Sequence, residues 1–179
     1  MHGGNNLGNY YTGSVAFELK SDTSKIEVLK SLMEYKHTDD KDFLKSEIGK
    51  SGLYERLNID LGYKVGDQYY TGVENNTFDS YVVVINVCSK AFRDKYKDAM
   101  TLMLDYLRDD IVQSEDPIGQ VYDEDSTFNK VYFTSKELED AFIERMNEIR
   151  ERVCTGCDWN NPEYYCEHYE RCNAAFNRG

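Results

Sequence analysis

The chain has little of what most recognisable chemistry requires. It contains three histidines, and none stands beside a serine or cysteine in a known nucleophile motif. No catalytic triad can be assembled from local sequence. Phosphate-cradling glycine loops are missing as well. GDQYYTG, from Gly66 to Gly72, has neither the three-glycine dinucleotide pattern nor the lysine of a P-loop. No apolar run approaches the roughly 20 residues needed to span a bilayer. The opening MHGGNNLGNYYTG lacks the basic and apolar regions of a secretory signal, so the expectation is a soluble, cytoplasmic protein. Basic residues are also in deficit, 21 Lys and Arg against 33 Asp and Glu, for a net charge of −12. A field of that sign repels phosphate backbones and anionic lipid, which argues against direct nucleic-acid or membrane binding.

What the chain does have is apolar and aromatic material for a core. Hydrophobic residues make up 40% of its 179 positions, with 15 Tyr and 8 Phe, enough for one ordinary domain with an appendage. In GSVAFEL, Val15, Phe17 and Leu19 alternate as in a half-buried strand. Ser24-x-x-Glu27 then reads as a capping box, opening a helix whose Ile26, Leu29, Leu32 and Met33 recur at helical spacing as far as Tyr35. A polar stretch, His37 to Asp42, and a short helix bearing Phe43, Leu44 and Ile48 follow, reading as an insertion ended at Gly49 or Gly52.

The second half repeats the theme. VGDQYYTGV and the turn ENNTFD read as a hairpin partner of YVVVINVCSK, a β-branched central strand with Val83, Ile85 and Val87 on one face. A helix is predicted from about Ala91 to Val112, with Phe92, Tyr96, Ala99, Met103, Tyr106 and Leu107 as its stripe, before Pro117. IGQVYDED and NKVYFT read as a further strand or hairpin, and Thr134-x-x-Glu137 as the cap of a last helix carrying Leu138, Phe142, Met146, Ile149 and Val153. This order predicts an α+β protein, a ferredoxin-like split β-α-β sandwich with a third C-terminal helix and a small cysteine-rich tail. The expected divisions are a flexible N-terminus over 1–12, a core domain over 13–133, the helix over 134–153 and the tail over 154–179.

Four of the five cysteines fall in that tail, as Cys154-x2-Cys157-x8-Cys166-x5-Cys172, with His168 as an alternative ligand for Cys166 or Cys172. Four thiolates suit a closed tetrahedral zinc site, whose filled coordination shell makes the zinc structural rather than catalytic. Two disulfides are the competing reading, disfavoured without a secretory signal. A redox CxxC normally begins a helix, where the dipole lowers the thiol pKa, whereas this one follows a helix. Trp159, Tyr164, Tyr165 and Tyr169 read as packing for so small a unit rather than as a recognition surface. Cys88, at the end of the valine-rich strand, reads as a small buried hydrophobe.

The remaining chemical excess is acidic. Asp39, Asp40 and Asp42 cluster, as do Asp109 and Asp110, Glu115 and Asp116, and Asp123, Glu124 and Asp125. The last group lacks the other ligands of a calcium loop. A solvated surface explains such residues in most acidic proteins, while the sharper reading is a negative surface matched to a basic partner protein, with electrostatic steering of association.

The stretch FELKSDTSKIEVLKSL, Phe17 to Leu32, together with the later YVVVINVCSK, resembles small bacterial and phage proteins that share an L-K-x-D-T start. In general composition the chain is similar to phage-encoded inhibitors of host defence, anti-CRISPR proteins among them, several of which mimic nucleic acid. That resemblance implies a non-enzymatic inhibitor that competes with nucleic acid for a basic, nucleic-acid-binding effector. Two other functions stay open. One is a small enzyme using paired carboxylates as acid and base, and the other is a zinc-stabilised nucleic-acid-binding module, for which Arg145, Arg150, Arg152 and Arg171 are few and interspersed with glutamate.

Overall fold

The computed structural model describes residues 10–72, 77–90, 93–123 and 129–153. Period-two alternation dominates it. β1 (Tyr10–Lys20) and β4 (Ser80–Lys90) pair antiparallel over 11 residues each, Val15 opposite Ile85 and Phe17 opposite Val83. Both strands put their odd-numbered residues on one face. Val15, Leu19, Val83 and Ile85 there are 0% exposed, each burial contributing roughly 1.5–3 kcal/mol. With β2 (Leu57–Val65), β3 (Gln68–Thr71), β5 (Gly119–Asp123) and β6 (Asn129–Tyr132), they form an antiparallel sheet of order β3-β2-β4-β1-β5-β6. The protein is therefore α+β with a six-stranded antiparallel sheet.

One strand of the six escapes the sequence reading. Leu57, Ile59 and Leu61 alternate with Asn58 and Asp60, and this places β2 against β4 with Ile59 opposite Ile85. β2 returns as β3 through a two-residue turn at Gly66-Asp67, where Gly66 adopts φ 57°, as the first position of a type II′ turn requires. VGDQYYTGV, expected as the hairpin partner of β4, instead holds the β2–β3 turn, and the partner of β4 is β2.

Helices cover the odd-numbered face. α1 (Ile26–Tyr35) buries Ile26, Val28, Leu29 and Leu32, and α4 (Arg93–Leu107) buries Ala99, Met100, Met103, Leu104 and Leu107 in the same core. The presumed insertion belongs to that core. α2 (Lys41–Lys45) and α3 (Glu47–Ser51) drive Phe43 and Ile48 to 0% exposure, and the Phe43 ring meets Tyr54 and Tyr106 edge-on at 5.2 and 5.1 Å. α4 ends with the last residue of its apolar stripe, Leu107, short of the expected Val112. Residues Arg108–Asp110 tighten into a 3-10 turn, after which Val112 N–H donates to the Glu18 carbonyl beside β1.

Two expected capping boxes form differently. Ser24 makes no cap. Thr23 Oγ1 accepts from Lys25 N–H, and α1 starts without a side-chain cap. In the second box Ser135 Oγ, not Thr134, accepts from Leu138 N–H at the start of α5 (Lys136–Val153). Thr134 is 1% exposed and is consumed by the preceding loop, accepting from Ser114 N–H and donating to the Ser114 carbonyl. Burial decides between two adjacent hydroxyls that look equivalent in sequence. Lys130, on β6, fastens α5 to the body through Glu139 at 3.0 Å and Thr101 of α4 at 3.2 Å.

The even-numbered face carries exposed Ser14, Ala16 and Asp60, with half-buried Val82 and Val84 between them. Cys88 lies on this face and is exposed, correcting its expected burial, because it follows core-facing Val87 by one residue. Among the described residues, no helix is long and apolar enough to cross a membrane.

The tight β1–β5 pairing makes Gly13 intolerant of a side chain. A Cβ at Gly13 would stand 2.1 Å from the Gln120 carbonyl oxygen and 2.6 Å from Val121 Cα, both backbone atoms that cannot swing away. Gly13→Ala is expected to destabilise by about 3 kcal/mol, an overpacking cost. Gly66→Ala, with open space but a left-handed backbone, is expected to cost about 1 kcal/mol. Urea unfolding of the two variants checks both the size and the order.

Candidate functional site

The acidic residues picked out in the sequence divide by what they do. Asp40 caps α2, its Oδ1 accepting from Asp42 N–H at 3.0 Å and Phe43 N–H at 2.7 Å, a role contributing about 1 kcal/mol. Asp42 occupies the first turn of that helix. Exposed Asp39 lies 3.0 Å from His37 Nε2. Asp110, in the turn after α4, is 2.9 Å from Lys25 Nζ. Its burial raises the carboxyl pKa, but the Lys25 hydrogen bond and charge, with a hydrogen bond from Thr23, outweigh that and hold it below the usual range.

These separate stretches meet at Tyr106. The half-buried phenol has its pKa pushed up to about 12, first by desolvation and then by the charges of Asp40, Asp42 and Asp110. Two stretches more than 60 residues apart in sequence thus act electrostatically on one phenol. Asp109 is exposed beside Asp110, and its carbonyl accepts from Lys20 Nζ at 2.7 Å. Glu115 and Asp116 are exposed on a different loop, between Ser114 and Pro117. Asp123 ends β5 with its side chain outside the described residues, where Glu124 and Asp125 also lie. Cys154, Cys157, Cys166, Cys172 and His168 fall outside them too. Among the described residues, no group of three or more His, Cys, Asp or Glu side chains is placed to hold a metal ion.

A carboxylate that the sequence reading passed over has three side-chain donors among the described residues. Glu18, on the even-numbered face of β1, accepts from Lys64 Nζ of β2 at 2.8 Å, Ser80 Oγ of β4 at 2.7 Å and Tyr69 Oη of β3 at 3.4 Å. One side chain ties four strands. Partial burial raises the Glu18 pKa, yet the Lys64 and Ser80 hydrogen bonds and the lysine charge prevail and hold it below the usual 4.5. Lys64 is raised in turn, chiefly by its hydrogen bond to Glu18. The signal in the sequence was a glutamate amid an alternating apolar strand, but its partners lie 46 to 62 residues away.

Beside Glu18 the open face of the sheet sinks into a hollow of about 420 Å³. Ala16 and Val82 form part of its lining, Val112, Pro117 and Ile118 come from the chain entering β5, and Tyr69 leans in from β3. Val112 is 40% and Tyr69 62% exposed, so both present uncovered apolar surface. Ser114 and Thr134 also line the hollow, Thr134 Oγ1 bonded to the Ser114 backbone and Ser114 Oγ accepting from Asp116 N–H.

The Glu18 tie generates a pH signature. A carboxylate whose folded pKa lies below its unfolded value contributes stability that is present above the unfolded pKa, near 4.5, and lost as pH falls through the folded pKa. Glu18→Gln is therefore expected to cost about 1 kcal/mol near neutral pH, a value that allows for solvent screening of a partly exposed pair. The difference from wild type should shrink progressively below pH 4.5 in urea melts. A difference that stays constant through that range would show that lost packing, rather than charge, causes the loss.

Compared with protein-family models, curated proteins and solved structures, the chain matches none of them.

Proposed function

We propose that the protein is a non-enzymatic binding protein whose acidic face, built by Asp39, Asp40, Asp42, Asp109 and Asp110, docks on a basic surface of a partner protein. The observation that carries this reading is the packing of the two acidic stretches on Tyr106: Asp40 caps the helix whose Phe43 ring meets Tyr106 at 5.1 Å, and Asp110 pairs with Lys25, which stands 5.0 Å from the Tyr106 ring. Carboxylates within about 8 Å reinforce one another at physiological salt, whereas scattered ones are screened. The net charge of −12 adds long-range steering toward a positive partner. The compositional likeness to phage-encoded anti-defence inhibitors points to a nucleic-acid-binding effector as that partner, with the acidic face competing for the surface that nucleic acid would occupy. On the same footing, the four central strands β2-β4-β1-β5, with α1 between β1 and β2 and α4 between β4 and β5, support a ferredoxin-like split β-α-β core with β3 and β6 added at its edges.

The enzyme alternative asks for a carboxyl that exchanges protons near neutral pH. Glu18, the carboxylate in the hollow, is instead held ionised by Lys64 and Ser80, which suits a strand tie better than a general acid. For the tail, the cysteine spacing alone supports a structural zinc bound by Cys154, Cys157, Cys166 and Cys172, with His168 as substitute. Native mass spectrometry under reducing conditions is expected to find one zinc per chain, lost in Cys154→Ser/Cys157→Ser. A metal-free mass four protons light would mean disulfides.

The binding proposal is tested by displacement of DNA from basic CRISPR-type effectors, followed by gel shift as ionic strength rises. Displacement is expected to weaken steeply with salt. Replacing Asp39, Asp42 and Asp109 by Asn, side chains that cap no helix in this fold, is expected to weaken it tenfold or more, about 1.4 kcal/mol, and to flatten the salt dependence. An effector panel that shows no displacement, or displacement indifferent to the triple variant, would overturn it.

A further inference from the structure

We infer that the hollow on the open face of the sheet is a seat for one arginine side chain of the basic partner. This deepens the binding role proposed above, on which it rests for the source of that arginine. The seat itself is argued from its lining.

Its apolar portion suits a hydrocarbon stem. Ala16 and Val82 lie on the sheet, and Val112 and Pro117 stand on the incoming loop, so the methylenes of a long cationic side chain gain contact while its head stays near water. Charge then selects the head. Glu18 lines the hollow, and exposed Glu115 and Asp116 sit on the stretch joining two lining residues, Ser114 and Pro117. Against these carboxylates stands Lys64, held by Glu18. Lys20, two residues along β1, is directed to the Asp109 carbonyl instead. The local balance is negative.

Acceptor capacity remains as well. A carboxylate offers about four acceptor positions, and Glu18 receives donors from Lys64, Ser80 and Tyr69, the last at a long 3.4 Å. Oε2, on which Ser80 is the one donor among the described residues, therefore keeps an acceptor position for an incoming donor. The Tyr69 ring, 62% exposed, has Lys64 Nζ at 5.5 Å from its centroid and leaves uncovered aromatic surface. A planar guanidinium can stack on such a surface while donating to a carboxylate, a combination that a compact ammonium does not match. The volume of about 420 Å³ lies toward the lower end of ligand-sized pockets, which suits a single side chain.

The test is a methyl-detected NMR titration of the full chain with N-acetyl-arginine-N-methylamide, using the neutral N-acetyl-norleucine-N-methylamide as control. Saturable shifts are expected at the Ala16, Val82 and Val112 methyls with the arginine probe and not with norleucine. Ala16→Leu, an exposed position that should keep the fold, is expected to fill the hollow and abolish them. Glu115→Gln/Asp116→Asn should weaken the probe severalfold, and the Asp39, Asp42, Asp109 triple variant should leave it unchanged. Shifts that are absent, equal for norleucine, or unaltered in Ala16→Leu would overturn the inference. Any of those results, alongside DNA displacement that still depends on the acidic face, would leave the binding proposal standing.

Discussion

Everything else in the fold hangs on the pairing of β1 with β4. These two strands run antiparallel along their whole length at the centre of the sheet, and each has a second strand on its other side. Because side chains alternate strictly, this register decides which residues enter the core and which face outward. Slipping β1 by one residue against β4 would send Val15, Phe17 and Leu19 into solvent. The same register puts Glu18 on the outer face opposite Val82, within reach of Ser80 and Lys64. The central pairing therefore creates both the apolar face that stabilises the protein and the charged, uncovered face on which the hollow lies.

Seen from that centre, the acidic excess is a set of different jobs. Asp40 holds the first turn of α2, and Asp110 anchors the turn after α4 to Lys25, whose ammonium also donates to the Tyr106 carbonyl at 2.6 Å. Glu18 joins strands. In each case the carboxylate meets a donor that offsets desolvation, so part of the negative charge is carried at little cost to stability. Asp39 and Asp109, both exposed, have no such internal duty on the helices and strands, and they supply the outward field.

How much of this was legible in the sequence depended on range. The alternation in β1 and β4 and the helical stripes of α1, α4 and α5 are local patterns, and the elements they predict are present, although α4 stops at Leu107 rather than Val112. β2 was missed because Gly62 interrupts LNIDLGYKV, although Gly62 is there because a Cβ would meet the Tyr70 carbonyl oxygen at 2.3 Å. The capping residue of α5 was misplaced by one position because Thr134 and Ser135 have the same local credentials and only tertiary burial separates them. Cys88 was assigned to the wrong face because a strand with two apolar faces gives no parity signal at its end. The acidic residues were visible individually. Their meeting around Tyr106, like the Glu18 tie and the hollow, depends on contacts between distant segments that no local window contains.

The gathered carboxylates also bear on why the acidic face supports a binding role. Like charges on one patch repel, and stability alone would favour dispersing them. The fold compensates internally at two of the three that act on Tyr106, through the α2 cap at Asp40 and the Lys25 pair at Asp110. Their neighbours Asp39, Asp42 and Asp109 remain at the surface. A patch arranged this way is pre-organised: its field is fixed by backbone and lysine contacts before any partner arrives, so docking need not order it. The cost of concentrating charge is then met in the free protein, and docking on the basic surface proposed above would relieve it.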